Sequence, residues 1–563
     1  MADRRLFNLA IKDIEKNPEQ LKAVYEKGHC TVLAGPGSGK TKTLTVAMAR
    51  ALLEDVKDPR GIACITYNNE CAIELSSRLS KLGIESSGRV FIGTVHSFAL
   101  TQVIFPYARC TMPEISKDIR VATATECREA VEKAHKIVFN VNEDPHDRWK
   151  FAEFKRRRDV DRSQRVWRDQ NADLADFIEA YEKELRKKEL IDFDDMPILA
   201  LHIIRDNEWV RNSLRAKFPI LFVDEYQDLG YSLHELVLLL CFKVGVRLFA
   251  VGDPDQSIYA FTGADPMLLE SITDRPDVQK IPLRFNYRCG KSIIEASMAA
   301  LGAERDYCSP DDAEDGVIDF HGIDGDLDLQ AEYIFSKLLP YIQNTGVQLE
   351  KIAILYKWAK HGEEVVAKAK EFGILFVRSD TNALIKRNSK ISRFIEACAN
   401  WVSGGWKQAD PPFRRLAFDA IALVFGQSSS DKEKLQIQSE LIYFLKSTIG
   451  TSMSTHQWLS SFRQEVLNDW RKRSRTISED WDSIDIMIKR TDPTKGDDKD
   501  LPLAHFGGRI EGTGRLNLST LHSSKGREFD AVILFGMNYD IIPNGFERRN
   551  EAQFKESRRL FYV

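Results

Sequence analysis

The cysteines of this 563-residue chain form none of the patterns that a disulfide framework or a zinc site requires. The nine cysteines include no Cys-x-x-Cys pair, and no pair of histidines completes a zinc-binding set. We therefore predict reduced thiols, as in proteins of a reducing compartment. Long hydrophobic runs are also missing, because the longest, Leu236 to Phe242, falls far short of the ~18–20 residues that span a bilayer. The segment MADRRLFNLAIKD carries charges where a signal peptide needs an apolar core, so we expect a cytoplasmic protein without membrane contact.

An excess of basic charge is absent as well. Lysine and arginine number 80 and aspartate and glutamate 84, which gives a formal net charge of −4. This excludes a globally basic, histone-like protein, but a basic groove can lie on an acidic body, so nucleic-acid binding stays open. Hydrophobic residues make up 43% and charged residues 29%, which excludes wholesale disorder and predicts globular domains, roughly three to five at this length.

Short continuous apolar runs, bounded by turn or charged residues, predict buried parallel strands. Continuous rather than alternating apolar character is typical of strands that are covered on both faces. Helical patterns follow some of the runs, as in Glu70–Leu82. This order predicts an α/β, doubly wound architecture, and a late run indicates a second sheet. The predicted strands are Cys30–Ala34, Ile62–Thr66, Ile220–Val223, Leu248–Val251, Ile352–Tyr356 and Ala531–Phe535.

Two longer stretches, residues 101–189 and 381–512, break this alternation. Both have helical, polar patterns with basic runs. Between Arg148 and Arg168, nine lysines and arginines stand against three acidic residues. We predict that both stretches are mainly helical insertions into an α/β core.

The strongest local motif is AGPGSGKT, Ala34 to Thr41, between a predicted strand and a predicted helix over Lys40–Leu53. Its glycines let backbone N–H groups surround phosphate oxygens, and the helix amino terminus favours the bound negative charge. Lys40 would reach the β and γ phosphates of a nucleotide, and Thr41 would bind magnesium. The predicted phosphate site comprises Ala34, Gly35, Pro36, Gly37, Ser38, Gly39, Lys40, Thr41 and Lys42.

A second strand end, in ILFVDEYQD, carries two acids. An apolar strand delivers Asp224 and Glu225 to the carboxyl edge of a sheet, where ligands bind. Asp224 would hold magnesium through water, a role that oxygen ligands suit. Glu225 would orient and deprotonate an attacking water. Alone, such a pair is often only surface charge, and the upstream phosphate loop is what favours the catalytic interpretation.

A third strand end lies in FAVGDPDQSIYAFTGA, Phe249 to Ala264. Gln256 is suited to sensing a γ-phosphate, because an amide can accept from water and donate to phosphate. Tyr259 and Phe261 are two residues apart, so on an extended segment they would share one face and offer stacking platforms for bases. The alternative is that both rings are plain core aromatics.

These motifs together identify a family resemblance. VDEYQD and VGDPDQSIYAF, with the later LRFNYRC (Leu283–Cys289) and LSTLHSSKGREFD (Leu518–Asp530), closely resemble the UvrD/Rep group of superfamily 1 DNA helicases. The resemblance implies two RecA-like domains, each with an inserted mainly helical domain. It also implies an ATP- and magnesium-dependent motor that moves 3′→5′ on single-stranded DNA and acts at junctions with duplex.

The resemblance also assigns residues outside the phosphate loop. Gln20 matches the glutamine that reads adenine, Tyr287 the aromatic that packs on adenine, and Arg288 the arginine that reaches the γ-phosphate. Gly526 and Glu528 match a segment that contacts ATP from the second core domain.

For DNA, the matching positions are spread over several motifs, and two single histidines among them have a purely structural alternative. These positions are Tyr67, Asn69, His96, Tyr259, Phe261 and His522. Three residues depart from the family pattern: Glu70 stands where relatives carry Lys, Thr262 where they carry Arg, and Phe261 where Trp is usual. The loss of two cations should weaken phosphate contacts.

The resemblance implies six segments. The first core domain comprises residues 1–100 and 190–282, with 101–189 inserted. The second comprises 283–380 and 513–563, with 381–512 inserted.

Two expectations concern the end of the sequence and the partner. FKESRRLFYV resembles the last family motif but stops inside it, before an arginine that relatives carry, so we expect a longer natural chain. An alternative function is a DNA- or nucleotide-sensing ATPase subunit of an anti-phage defence complex with a nuclease partner, as in Gabija systems, with little unwinding of its own.

Overall fold

The computed structural model describes residues 4–84, 88–112, 119–141, 143–160, 162, 166–169, 171–386, 389–425, 430–499, 501–508 and 514–563. The side chains of Glu70, Val166 and Phe261 also lie outside the description. The expectations for the Glu70 and Phe261 side chains therefore fall outside the described residues.

All described strands run parallel to their neighbours in three sheets. In chain order they are β1 His29–Ala34, β2 Ile62–Thr66, β3 Val90–Thr94, β4 Arg120–Val121, β5 Leu190–Ile191, β6 Ile220–Val223, β7 Arg247–Gly252, β8 Val278–Leu283, β9 Ile352–Tyr356, β10 Phe376–Arg378, β11 Leu516–Thr520 and β12 Ala531–Leu534. The six predicted strands are confirmed, to within one residue at each end. The α/β class with parallel sheets is confirmed too.

The first sheet has six strands in the order β3-β2-β6-β7-β1-β8. Its centre is apolar on both faces, because every residue of β2 and β6 is buried and helices cover the two sides. The strands β6, β7 and β1 are neighbours, with Phe222 paired to Phe249 and Phe249 paired to Cys30. The chain therefore leaves all three strands at one carboxyl edge.

The second sheet has four strands in the order β10-β11-β9-β12. All five residues of β9 are buried, and Ile354 pairs with Leu518 of β11 and Ile533 of β12. The third sheet is the two-residue pair β4-β5.

The chain divides into two compact units, Met1–Asp319 with Gly545–Val563, and Phe320–Asn544. The α-helices of the first unit are Arg4–Ile14, Pro18–Tyr25, Lys40–Arg50, Asn69–Lys81, Val95–Phe98, Phe105–Thr111, Ala124–Phe139, His146–Arg158, Val166–Asp169, Ala172–Arg186, Asp195–Asp206, Glu208–Lys217, Tyr231–Leu238, Met267–Thr273, Lys291–Leu301 and Glu551–Tyr562. Those of the second unit are Leu327–Tyr333, Leu339–Asn344, Gly362–Glu371, Lys390–Asn400, Trp406–Gln408, Phe413–Phe425, Asp431–Thr448, Thr455–Phe462, Asn468–Arg473, Arg475–Glu479, Trp481–Arg490 and Leu503–Phe506. No described helix is both long enough and apolar enough to cross a bilayer.

Both predicted insertions are mainly helical in their described parts. In the first unit, four helices between residues 124 and 186 enclose a small core around Phe177 and Tyr181. In the second unit, the helices between residues 390 and 506 enclose a larger core with Trp458, Phe462 and Trp470. The domain boundaries that the resemblance implies stay a prediction.

Two local expectations differ from the structure. The helix predicted over Lys40–Leu53 is α-helical only to Arg50 and continues as a π-helical turn over Ala51–Asp55. The segment around Tyr259 is not extended, because Ala260–Thr262 forms a 3₁₀ turn that Gly263 ends at φ 93°. The prediction that Tyr259 and Phe261 lie on an extended segment, and so share one face of it, is therefore wrong.

Candidate functional site

The loop after β1 wraps back on itself before helix Lys40–Arg50 begins. Gly37 and Gly39 have φ of 69° and 82°, in the left-handed region that favours glycine. A Cβ at Gly37 would lie 2.4 Å from Asn286 Oδ1, and one at Gly39 would lie 2.5 Å from Gln20 Nε2. Ser38 Oγ donates to Gly35 O at 2.7 Å. The backbone conformation and the lack of room for a Cβ therefore both require glycine at these two positions. The loop leads directly into the amino terminus of helix Lys40–Arg50, a place that favours a bound anion.

The ammonium of Lys40 lies at the first residue of that helix. Its Nζ is buried and has no hydrogen-bond partner among the described residues. A buried charge without a partner is costly, so this position points to an anionic ligand.

Asp224 lies one residue beyond β6, and its backbone still belongs to the sheet, because its N–H donates to Ile65 O at 2.9 Å. The carboxylate is buried, and its Oδ1 has no partner among the described residues. Burial first, and then the charge of Glu225, raises the pKa of Asp224 to about 7, while Lys40 opposes the shift. A bound cation would remove much of this electrostatic cost, so the donor set fits a magnesium ion that also uses phosphate oxygens and water.

Glu225 has a backbone conformation that is unusual for its residue type. Its φ is 50° and its ψ 49°, the left-handed region, where a non-glycine residue costs roughly 1–2 kcal/mol. Gln227 Nε2 donates to Glu225 Oε2, and Gln227 Oε1 accepts the N–H of Asp253 at 3.0 Å. This buried glutamine therefore fixes the acidic end of β6 against the end of β7. Strained residues of this kind cluster at functional sites.

Gln256 lies on a 3₁₀ turn, Pro254–Gln256, that follows β7. Its Nε2 donates to Asp253 Oδ2 at 2.8 Å. Asp253 is buried, and burial raises the pKa of its carboxyl group, again against the charge of Lys40. Gln256 is thus held at the same sheet edge as Lys40 and Asp224.

The predicted adenine residues lie on the opposite side of the loop. Gln20 Nε2 donates to Ser38 O at 2.9 Å, so the side chain touches the phosphate loop directly. Asn17 caps the helix that carries Gln20 and donates to the hydroxyl of Tyr287 at 2.9 Å. The N–H of Tyr287 donates to Gly37 O at 2.9 Å, and the ring is 51% exposed, which leaves a face for a base.

The remaining residues predicted to bind nucleotide are Arg288, Lys42, Gly526 and Glu528. Arg288 follows Tyr287 with its backbone N–H bonded to Asn286 Oδ1 at 2.8 Å. Lys42 forms an ion pair with Asp13. Gly526 and Glu528 belong to the second unit, between β11 and β12, and Gly526 has a φ of 84°.

Tyr67 and Tyr259 form a stacked pair at the carboxyl edge of the first sheet. Their ring centroids are 5.3 Å apart with 20° between the planes. The hydroxyls of Tyr67 and Thr262 lie 3.3 Å apart. The partner of Tyr259 in this structure is therefore Tyr67, which follows β2, and both rings are partly exposed.

His96 and Asn69 lie near that pair in the chain topology. Thr66 of β2 pairs with Thr94 of β3, so Tyr67 and His96 follow neighbouring strand ends, and Asn69 begins the helix after β2. His96 makes an edge-to-face contact with Phe193 at 5.8 Å, and burial lowers the pKa of its imidazole.

The segment that carries Phe193 is fixed by a buried arginine. Arg156 is fully buried and donates to Asp192 at 2.6 Å, to Asp195 at 2.5 Å and to Glu182 at 2.7 Å. Phe193 lies between the two aspartates and is 53% exposed. The network joins the helical insertion to the strand edge where His96 lies.

In the second unit, His522 follows β11 and Trp358 follows β9. Thr520 pairs with Tyr356, so the two residues lie two positions beyond paired strand ends. Trp358 is 38% exposed and has Lys357 Nζ 4.8 Å and Lys360 Nζ 5.1 Å from its ring centroid. Lys357 is buried and donates to Ile541 O at 2.9 Å, so it supports the ring from within. The exposed aromatic beside Lys360 is a surface that can bind nucleic acid.

Several of these residues have roles that the motifs alone do not reveal. Gln227 and Asp253 stand inside the motifs, but only their long-range hydrogen bonds distinguish them from neighbours. For Phe193 and Trp358 the available signal was an aromatic one or two residues beyond a short strand, which is too common to act on.

Comparisons with known proteins give the family of this chain. The model of the UvrD/REP helicase N-terminal domain matches residues 16–277, and that of the UvrD-like helicase C-terminal domain matches residues 505–563. The chain is 26% identical to an ATP-dependent DNA helicase Rep of Buchnera aphidicola over 95% of this chain and 89% of the relative. It is 25% identical to ATP-dependent DNA helicase Rep of Escherichia coli, over 97% and 88% of the two chains. For ATP-dependent DNA helicase PcrA of Staphylococcus epidermidis the identity is 25%, over 99% and 82%. Because the N-terminal and C-terminal family models match in chain order and the relatives align over almost the whole chain, the chain belongs to the UvrD/Rep group of superfamily 1 helicases.

Proposed function

We propose that this protein is an ATP-hydrolysing DNA helicase that uses magnesium, moves 3′→5′ on single-stranded DNA and separates strands at junctions with duplex. The observation that carries the proposal is the pair of buried, unpartnered atoms Lys40 Nζ and Asp224 Oδ1 at one sheet edge, among the described residues. An ammonium and a carboxylate in that state call for a ligand that brings both phosphate and a cation.

The chain's own groups divide the work on ATP. The phosphate loop and Lys40 bind the β and γ phosphates, and Tyr287 and Gln20 hold the base. Glu225 orients the attacking water and accepts its proton, with its carboxylate held by Gln227. Gln256 contacts the attacking water or the γ-phosphate, and Arg288 adds positive charge to the γ-phosphate.

Magnesium would be held by Thr41 and Asp224, and when bound it would offset phosphate charge. The orphaned Oδ1 of Asp224 and the raised pKa of that carboxyl group support this assignment.

On the DNA side, Tyr67, Tyr259 and His96 contact bases at the first sheet, and His522 contacts the strand from the second unit. Support comes from the stacked, partly exposed rings of Tyr67 and Tyr259 at the strand ends, since aromatic faces accept any base. Asn69 and Phe261 complete the proposed set by their positions in the same motifs. The alternative of a nuclease-associated defence subunit stays a prediction, because nothing in the described residues bears on a nuclease partner.

The proposal is tested with fluorescent duplexes that carry a single-stranded tail on either the 3′ or the 5′ side. We expect strand separation that requires both ATP and magnesium, with the 3′-tailed duplex separated much faster than the 5′-tailed one. Lys40→Ala is the inactive control, and a blunt duplex is the substrate control. Equal rates on both tails would contradict the direction, and ATP turnover without any strand separation would contradict the helicase assignment.

A further inference from the structure

The helix Glu551–Tyr562 contacts both ends of the segment that carries Gln256 and Tyr259. At one end, the hydroxyl of Tyr562 donates to Asp253 Oδ2 at 3.1 Å. At the other end, Glu556 Oε1 accepts the backbone N–H of Ala260 at 3.1 Å. One rigid helix therefore holds the segment on its nucleotide side and on its aromatic side.

The helix is itself well fixed in the first unit. Arg558 donates to Ala300 O at 2.7 Å and to Ala299 O at 3.1 Å, carbonyls at the end of helix Lys291–Leu301. Tyr562 is buried and also lies in hydrogen-bond contact with Tyr307. The ring of Tyr307 covers the phosphate loop so closely that a Cβ at Gly35 would lie 2.7 Å from it.

Asp253 determines which end of the Gln256 amide faces the site. Its Oδ2 receives Gln256 Nε2 at 2.8 Å and the hydroxyl of Tyr562, and its Oδ1 receives the N–H of Asp255 at 3.0 Å. An ionised carboxylate can only accept, so Gln256 must turn its NH₂ towards Asp253 and its carbonyl oxygen away. That oxygen is suited to accept a hydrogen bond from the attacking water, while the amide nitrogen uses one of its two N–H groups on Asp253.

We propose that Tyr562 and Glu556 are positioning residues of the motor. Tyr562 fixes the orientation of Gln256 through Asp253, and Glu556 fixes the backbone beside Tyr259. The inference rests on the proposed function, because it assigns roles within ATP-driven movement on DNA. Through this helix, the group that faces the attacking water and the ring that faces DNA are held by a single element.

The first test is a double-mutant cycle on the full chain. Tyr562→Phe removes only the hydroxyl, and we expect kcat for ATP to fall about tenfold while KM for ATP changes less than about twofold. In a Gln256→Ala background, the same substitution should change kcat less than about twofold, because its effect passes through Gln256. Residual turnover is followed by release of radiolabelled phosphate, which measures weakly active variants. Tyr107→Phe, whose hydroxyl lies 2.8 Å from Ser213 Oγ on a distant helix, is the matched control and should match wild type.

The second test separates the two ends of the segment. Glu556→Ala should lower the ratio of DNA-stimulated to basal turnover about threefold. The effect is modest because the net contribution of one hydrogen bond is small. Glu556→Gln should keep that ratio, because its amide oxygen can still accept from Ala260. Thermal melting of each variant shows that it is folded.

The outcomes distinguish the two proposals. A wild type without DNA-stimulated turnover overturns the proposed function and this inference with it. If wild type is stimulated, the inference alone is overturned by a Tyr562→Phe variant equal to wild type, or by equal losses in both backgrounds. A Glu556→Gln variant as impaired as Glu556→Ala overturns the role of Glu556.

Discussion

At the scale of single residues, the cost of buried charge is what marks the site. Lys40 and Asp224 each have a buried atom that no described residue satisfies. Most buried polar groups in folded proteins have a hydrogen-bond partner. Two buried atoms without one at the same sheet edge therefore lower the free energy of unfolding. The left-handed backbone of Glu225 adds strain beside them. Three separate costs at the carboxyl edge of the first sheet are expected where a ligand supplies the compensation.

Substitutions of Lys40 and of Glu225 should affect different steps of ATP turnover. Lys40→Ala should abolish ATP hydrolysis and weaken nucleotide binding yet leave the protein folded, because it removes the charge that holds the β and γ phosphates without emptying a core. Glu225→Gln should keep nucleotide binding and stop turnover, since an amide cannot take the proton of water. Nucleotide titration, phosphate release and thermal melting measure all three effects. The exposed Lys81→Ala is the control, and normal hydrolysis by Glu225→Gln would remove Glu225 as the base.

His234 makes a prediction about pH. Its Nδ1 lies 2.9 Å from the hydroxyl of Tyr226, and burial lowers the pKa of its imidazole to about 4. The folded state keeps His234 neutral while the unfolded chain binds a proton below about pH 6.5, so stability falls as pH drops from about 6.5 to 4. The contribution is up to about 3 kcal/mol, with a slope of at most about 1.4 kcal/mol per pH unit.

The measurement is the free energy of unfolding in urea at several pH values, for wild type and His234→Asn. The asparagine oxygen can replace Nδ1 as acceptor for Tyr226, so the variant should lose less stability between pH 6.5 and 4. Other histidines titrate in the same range, which is why the difference between the two proteins is the decisive quantity. Parallel losses in both proteins would show that His234 is not responsible.

At the scale of secondary-structure elements, composition located the central apolar strands and missed others. The missed strand β8, VQKIPL, lies at a sheet edge, where Gln279 and Lys280 are exposed and break the apolar run. The missed strand β11, LNLST, is central, but its polar Asn517 is satisfied by Glu350 O at 2.8 Å and Ile352 O at 3.1 Å. Those acceptors are far away in the chain, so no local pattern could indicate that Asn517 belongs in a buried strand.

The Tyr67–Tyr259 stack yields a prediction at this scale. Tyr259→Ala and Tyr67→Ala should each reduce DNA-stimulated turnover more than basal turnover, because a stacked base is worth about 1–3 kcal/mol. If the rings are instead core, truncation should cost about 3–5 kcal/mol of stability and lower both rates together. Thermal melting beside ATPase assays distinguishes the two results. Phe320→Ala, at a ring that is 94% exposed, is a control for the loss of an aromatic.

At the scale of the whole molecule, a net charge of −4 has to be reconciled with DNA binding. In the described part of residues 148–168, most of the basic side chains form ion pairs with acidic residues. Arg156 and Arg162 are paired with acids, and so are Arg157 and Arg168. Many of the positive charges in that stretch are therefore neutralised by internal ion pairs. Aromatic stacking should then contribute a large share of the affinity for DNA.

A salt titration tests that expectation. DNA-stimulated turnover should fall as salt rises, because phosphate contacts release counterions. The slope of log affinity against log salt should be shallow, with a magnitude of about 2–3 for single-stranded DNA, since few free cations line the described strand ends. Affinity is measured by fluorescence anisotropy of a labelled oligonucleotide. A slope of about 6 or more would mean that phosphate contacts dominate after all.

The sequence by itself determined the nucleotide chemistry of this protein. Phosphate loop, acidic strand end and glutamine turn are each encoded in a few consecutive residues, because each is built from one strand end and its turn. The central strands of the first sheet were equally local, since a strand buried on both faces is typically apolar throughout. Only the tertiary structure decided which groups complete the site. Tyr562 reaches Asp253 from more than half the chain away, Gln227 joins two strand ends, and the stacking partner of Tyr259 is Tyr67. Such contacts depend on the order of the strands in the sheet, and no single segment of the sequence determines that order.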